Sequence, residues 1–219
     1  MSEPKSKKQT YVGRDITVEF DGARCIHARR CVLGLPGVFQ PGVPGAWVNP
    51  DGAPAEELAA LIRRCPSGAL SFRDAAVDEA PAVRSTIRVH ENGPLEVRAA
   101  LTLDGEREPA RRVLCRCGAS KRKPYCDGSH VAAGFHATGE PSSATSMDEP
   151  ASGPLSIQPA ADGPLLVNGP VELIAGSGRA LNRTSKCALC RCGASKNKPY
   201  CDGSHHSIGF RSSLQDDHR

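Results

Sequence analysis

Aromatic side chains are scarce in this chain, with 5 Phe, 3 Tyr and 1 Trp among 219 residues, so no large aromatic-rich core is available. Long apolar runs are missing too. None approaches the roughly 18 residues that mark a membrane-spanning helix, and no membrane association is expected. The opening MSEPKSKKQT is basic and polar with no apolar stretch behind it, unlike a secretory leader, so the expected compartment is the reducing cytoplasm. There is no glycine-rich nucleotide loop, no nucleophile elbow and no H-E-x-x-H pair, and GSGR at Gly176–Arg179 is too short to bind phosphate. These gaps lead us to expect a binding protein and not an enzyme. The formal charge of +4 is mild and hints at acidic partners. The aromatic interleaving that single-stranded nucleic acid favours is lacking, so nucleic acid is not an expected partner.

What the chain does have is 22 Gly, 18 Pro and 10 Cys. Such a composition suits small, loop-rich units that need a staple besides apolar burial. In a reducing compartment clustered cysteines more often bind metal than cross-link.

A duplication dominates the sequence. CRCGASKRKPYCDGSH runs from Cys115 to His130, and CRCGASKNKPYCDGSH from Cys190 to His205, the two differing only at Arg122 and Asn197. Gly-Phe follows each at the same offset, Gly134-Phe135 and Gly209-Phe210. The upstream arms, IRVHENGPLEVRAALTL from Ile87 and IQPAADGPLLVNGPVEL from Ile157, correspond loosely, and each alternates around a Gly-Pro like a pair of short strands. Arms need only a pattern, whereas the core of the repeat needs named atoms.

Each repeat reads C-x-C-x8-C-x3-H. The C-x-C pair sets two thiolates on one side of a loop, and the third cysteine and the histidine share a face on one turn of helix. Asp127 and Asp202 are placed to cap that turn, Gly128 and Gly203 to let backbone approach the site, and Pro124 and Pro199 to stiffen the approach to the third cysteine. Four such donors suit either a closed zinc site or a cluster whose two irons take two ligands each. Spacing alone leaves both open.

The string C-x-C-x2-S-x3-P-x-C-D-G-S-H resembles the signature of the CDGSH iron–sulfur (NEET-type) family, and both copies match it throughout. The resemblance implies a 2Fe–2S cluster on Cys115, Cys117, Cys126 and His130 and another on Cys190, Cys192, Cys201 and His205. It also implies that the two units pair within one chain as an intramolecular pseudo-dimer under a β-rich cap, which makes a monomer the expected state. Ser120 and Ser195 are candidate hydrogen-bond donors to cluster sulfur. Lys121, Arg122, Lys123, Lys196 and Lys198 form either a cationic rim for acidic redox partners or ordinary solvated loop charges. Cys187, with Arg112 at its place in the first copy, reads as a buried small hydrophobe and not a ligand. Against an all-thiolate set, a neutral imidazole raises the cluster potential, and protonation of its coordinating nitrogen would release the cluster.

Residues 11–76 read differently: a strand-like TVEF, then CIHARRC, an irregular Gly/Pro stretch to Trp47, a helical AEELAALIRRC stopped by Cys65-Pro66, and a short strand ALSF. Cys25, Cys31 and the distant Cys65-Pro66 resemble divergent mono-cluster 4Fe–4S domains and the 3Fe–4S ferredoxins, with Ala28 where a second cysteine would stand. Three cysteines suit a 3Fe–4S cluster, and His27 as a fourth ligand would complete a 4Fe–4S one. The expected class is thus α+β: a small ferredoxin-like domain over 11–76, a linker at 77–85, CDGSH units over 86–138 and 154–212, and a linker at 139–153. The expected function is electron transfer with a reductase or other oxidoreductase. The alternative is a cluster carrier, or a redox or pH sensor, that delivers labile clusters to apo iron–sulfur proteins.

Overall fold

In a computed structural model of the chain, residues 8–73, 83–142 and 152–212 are described. Residues 77–82 of the expected linker at 77–85 and 143–151 of the one at 139–153 lie outside these residues. Contacts divide the chain into two compact units, Met1–Ala80 and Pro81–Arg219.

The N-terminal unit has a three-stranded antiparallel sheet, ordered β1 (Gln9–Val12), β2 (Thr17–Phe20), β3 (Leu70–Arg73). TVEF and ALSF form the two strands their alternation predicts, with Val18, Leu70 and Phe72 turned into the core. The polar β1 and a five-residue helix, α1 (Arg30–Gly34), have no such periodicity and were not foreseen. Helix α2 (Ala55–Ile62) carries Glu56 and Glu57 in its first turn and buries Leu58, Ala59, Leu61 and Ile62, against Val38, Phe39 and Val48. It ends short of the expected Cys65. The N–H groups of Arg64 and Cys65 bond three residues back, to Leu61 and Ile62, so the chain tightens before Pro66, whose ring disfavours helical backbone at Cys65.

The C-terminal unit holds both repeats on one eight-stranded sheet. The first copy supplies β4 (Thr86–Val89), β5 (Leu95–Arg98), β6 (Leu101–Leu103), β7 (Glu106–Arg107) and β8 (Arg111–Leu114). The second supplies β9 (Leu155–Pro159), β10 (Leu165–Ile174) and β11 (Ala180–Leu189). Each motif ends in a one-turn helix, α3 (Ser129–Ala132) or α4 (Ser204–Ser207). The Gly-Pro hairpins form as expected, β4 with β5 and β9 with β10.

The two copies are also laced together. Strand β6 runs parallel to β9, with Leu103 opposite Ile157. The last residues of β10 run parallel to β4, with Leu173 opposite Ile87. In the aligned arms Leu103 corresponds to Leu173 and Ile87 to Ile157, so each copy lends its arm's end to the other's first strand. Apolar residues from both arms, among them Ile87, Leu103, Ile157 and Leu173, fill a single core. The class is mixed α+β, rich in strands and poor in helix. Among the described residues no helix is long and apolar enough to cross a membrane.

Candidate metal centres

Strand β8 delivers Cys115 and β11 delivers Cys190, both fully buried. The chain then loops out and returns. Cys115 N–H donates to Pro124 O at 2.8 Å and Cys126 N–H to Val113 O at 3.0 Å, so the third cysteine comes back beside the first. Cys190 N–H to Pro199 O and Cys201 N–H to Ala188 O repeat this at 2.8 and 2.9 Å. Lys123-Pro124 and Lys198-Pro199 are both cis.

The loop is held by its own side chains. Ser120 Oγ donates to Tyr125 O at 2.6 Å and accepts from Arg122 N–H, and Ser195 does the same with Tyr200 O and Asn197 N–H. Each hydroxyl has one proton, and here that proton is committed to the loop and not to cluster sulfur. Asp127 accepts from Lys121 N–H and Ser129 N–H, and Asp202 from Lys196 N–H and Ser204 N–H, so these carboxylates pin the loop to the helix start. The cap positions themselves are Gly128 and Gly203 in left-handed backbone, at φ 88° and 87°. Burial pushes the Asp127 carboxyl up, but the bonds from Ser129 and Lys121 outweigh it and leave its pKa lowered. Of the five expected rim cations, Lys123 and Lys198 are spent bracing Ser120 O and Ser195 O, while Lys121, Arg122 and Lys196 are exposed.

The donors come together in pairs. Cys115 and Cys117 sulfurs lie 3.6 Å apart, and Cys126 sulfur is 3.5 Å from His130 Nδ1. In the second copy Cys190 and Cys192 are 3.8 Å apart, and Cys201 is 3.4 Å from His205 Nδ1. With metal–sulfur bonds of about 2.3 Å and metal–nitrogen bonds of about 2.0–2.1 Å, a tetrahedral metal separates two sulfurs by about 3.8 Å and sulfur from nitrogen by about 3.5 Å. Each pair therefore matches one edge of a tetrahedron. The chemistry of each pair, two soft sulfurs or a sulfur and an imidazole nitrogen, fits iron or zinc.

The protonation states agree with that role. The bond from Cys117 draws the Cys115 thiol down to about 6, while the same bond and burial push Cys117 up. A metal would take both sulfurs as thiolates. Burial raises Cys126 to about 11. Backbone N–H groups of Ala119 and Gly128 point at Cys117 and Cys126 sulfurs, both at 3.4 Å, which favours thiolate. Burial lowers the pKa of His130 and His205, so each ring is kept neutral.

Two functional features escaped the sequence reading. Cys117 and Cys192 form an antiparallel bridge between the copies. Gly118 and Gly193, at φ 82° and 85°, sit so close that a Cβ on either would lie 2.5 Å from the carbonyl oxygen of Cys192 or Cys117. Arg116 and Arg191, the x of each C-x-C, are each 1% exposed. Their recurrence between the same two cysteines was the available signal. Around the motifs the copies differ. Arg112 pairs with Glu108 and stacks on Tyr125 at 5.6 Å, with its Nη1 buried and unpartnered. The matching Cys187 packs against the core, its thiol pushed up to about 12 by burial.

In the N-terminal unit Cys25, Cys31 and Cys65 line one cavity of about 620 Å³, walled by Phe20, Val32, Trp47, Leu61 and Leu70. Burial raises the Cys25 and Cys31 thiols, and Cys65 acts on both. His27 also lines the cavity, from an exposed loop position at φ 53°, and its N–H meets Cys25 sulfur at 3.4 Å. All four expected residues are brought to one apolar pocket, and three thiols around it suit a cluster.

A family profile described as an iron-binding zinc finger of CDGSH type matches residues 92–131 and 162–206. One described as a divergent 4Fe-4S mono-cluster matches residues 11–75. Two curated relatives, both named uncharacterized protein YjdI and found in Escherichia coli K12 and Escherichia coli O157:H7, are each 36% identical over 63 residues, 29% of this chain and 82% of theirs. No solved structure matches. The chain binds iron–sulfur clusters, and it belongs to the CDGSH iron-binding family through its duplicated motif and to the divergent 4Fe-4S mono-cluster family through its N-terminal unit.

Proposed function

We propose that this protein is an electron carrier and not an enzyme, with two 2Fe–2S clusters in the twin motifs and a 3Fe–4S or 4Fe–4S cluster on Cys25, Cys31 and Cys65, with His27 the fourth ligand in the latter case. The observation that carries this reading is the repeated pairing of donors at the edge lengths of a tetrahedral metal, twice in each copy. When bound, such clusters accept and release single electrons. The chain's own residues do the rest. Cys115 and Cys190 are kept from water by full burial, and the Cys117–Cys192 bridge sets one motif against the other. The exchanged arms support reading the copies as an intramolecular pseudo-dimer that functions as a monomer.

Exposed Lys121, Arg122 and Lys196 suit an acidic redox partner, a reductase or another oxidoreductase of the cytoplasm. The test is to reduce the anaerobic protein and mix it with an oxidised ferredoxin, following colour and bound iron together. Reoxidation over repeated cycles with iron retained supports electron transfer. Movement of iron into an apo-ferredoxin faster than passive loss would instead support a cluster carrier.

A further inference from the structure

Arg116 and Arg191 occupy the same slot in both motifs and meet the same surroundings. Arg116 donates from Nε to Gly93 O at 3.0 Å, from Nη1 to Thr138 O at 3.1 Å, and from Nη2 to His90 O and Ala137 O. Arg191 donates from Nε to Gly163 O at 2.9 Å and from Nη2 to Ala160 O. The guanidinium faces lie over Phe135 at 5.3 Å and Phe210 at 5.6 Å. Carbonyl oxygens and an aromatic ring satisfy the N–H groups, but they do not cancel a charge. Among the described residues no carboxylate forms an ion pair with either guanidinium. An arginine remains protonated at any ordinary pH, and a buried cation without an anion is costly. Each motif therefore buries a permanent positive charge that waits for a negative one.

The anion the site is built for is a cluster held by thiolates, and the fold indicates which one. The guanidinium of Arg116 reaches the carbonyls of His90, Gly93, Ala137 and Thr138, while its flanking cysteine sulfurs meet each other at 3.6 Å in the C-x-C segment. The antiparallel crossing at Cys117 and Cys192 brings the other copy's loop to that region. Among the thiols and carboxyls acting on Arg116, Cys190 of the second copy comes first, ahead of Glu91 and its own neighbour Cys117, although Arg116 and Arg191 also act on the histidines of their own motifs, His130 and His205. On Arg191 the first is Cys115 of the first copy, ahead of Asp162.

We propose that the two arginines are exchanged counter-charges: Arg116 stabilises the cluster on Cys190, Cys192, Cys201 and His205, and Arg191 the one on Cys115, Cys117, Cys126 and His130. This rests on the reading that those donors hold clusters. Both arginines are positioning residues that touch no iron, and each motif is incomplete without the other.

The test uses the full chain with the second site marked by His205→Cys, since a changed ligand shifts that cluster's absorption and makes the two sites separable. Iron and sulfide are counted first in the chain without an arginine substitution; a colourless parent would overturn the cluster reading itself. In a coloured parent, Arg116→Gln lowers the midpoint potential of the marked second site and shortens its colour lifetime at pH 6 several-fold, with a smaller effect on the first. Arg191→Gln does the reverse. Arg116→Lys, which keeps the charge, restores most of the second site's potential; should Arg116→Gln not fold, the Lys variant's residual shift is compared between sites in the same way. A larger effect on each arginine's own motif, or equal effects on both, would overturn the exchange.

Discussion

Two thiols 3.6 Å apart, as Cys115 and Cys117 are, do not both ionise without a cation between them. That is why a C-x-C pair suits a metal that takes both sulfurs as thiolates. The imidazole is the weaker grip. Burial holds His130 below its usual 6.5, so the ring stays neutral at pH 7 and takes a proton, losing its hold on a metal, once the pH falls through that lowered value. We expect His130→Cys to lengthen the first cluster's lifetime between about pH 5 and 6, read from absorbance decay; equal decay in the two proteins would contradict the imidazole's role as the point of release. Glu96, with its side chain 2% exposed, is a second residue-scale case. Burial pushes its carboxyl up, but His90 and Arg98 outweigh it and hold the pKa at about 2 against 4.5. A lowered carboxylate contributes stability that is full above about 4.5 and lost as pH falls toward about 2, on the order of 3 kcal/mol by linkage. Glu96→Gln should lower the unfolding free energy extrapolated from urea titration at pH 7 by that order, and the gap from the unsubstituted chain should narrow only below about pH 4.5.

The twin loops work as a pair because two glycines let their backbones meet. Gly118 and Gly128 both have positive φ, but a Cβ at Gly118 runs into the Cys192 carbonyl, whereas nothing lies within 4 Å of one at Gly128. Gly128→Ala should cost only the strain of left-handed backbone, about 1–2 kcal/mol, and spare the second cluster. Gly118→Ala should add a clash between the copies and speed colour loss at both sites; loss confined to the first site would contradict the pairing. The loop was legible in the sequence because spacing and residue type alone fix which atoms face inward. Cys115, Cys117, Cys126 and His130 could be read that way, and so could the hairpin of β4 with β5. The roles of Ser120 and Arg116 could not. A serine's proton goes to whichever acceptor the folded loop presents, here Tyr125 O. The carbonyls that Arg116 meets, at residues 90, 93, 137 and 138, come from segments more than twenty residues away on either side.

For the whole molecule, local pattern gives strands but not their partners. The pairing of Leu103 with Ile157 and of Leu173 with Ile87 depends on two distant arms meeting, which no window of sequence contains. The same limit hid α1 and the polar β1, whose residues carry no strong period, and it let α2 be read as reaching Cys65. In the N-terminal unit the three cysteines were legible, while the apolar cavity that gathers them with His27 emerges only from packing around Trp47, whose ring meets Phe20 edge-on at 4.8 Å. Electron transfer by both units requires iron and inorganic sulfide at every cysteine cluster. The most direct test is to count iron, sulfide and zinc in anaerobically isolated protein while following its colour under dithionite. About four irons for the twin motifs and three or four more for the N-terminal cavity, with matching sulfide and bleaching on reduction, is the predicted result. A pale protein carrying zinc, without sulfide and unchanged by dithionite, would contradict it.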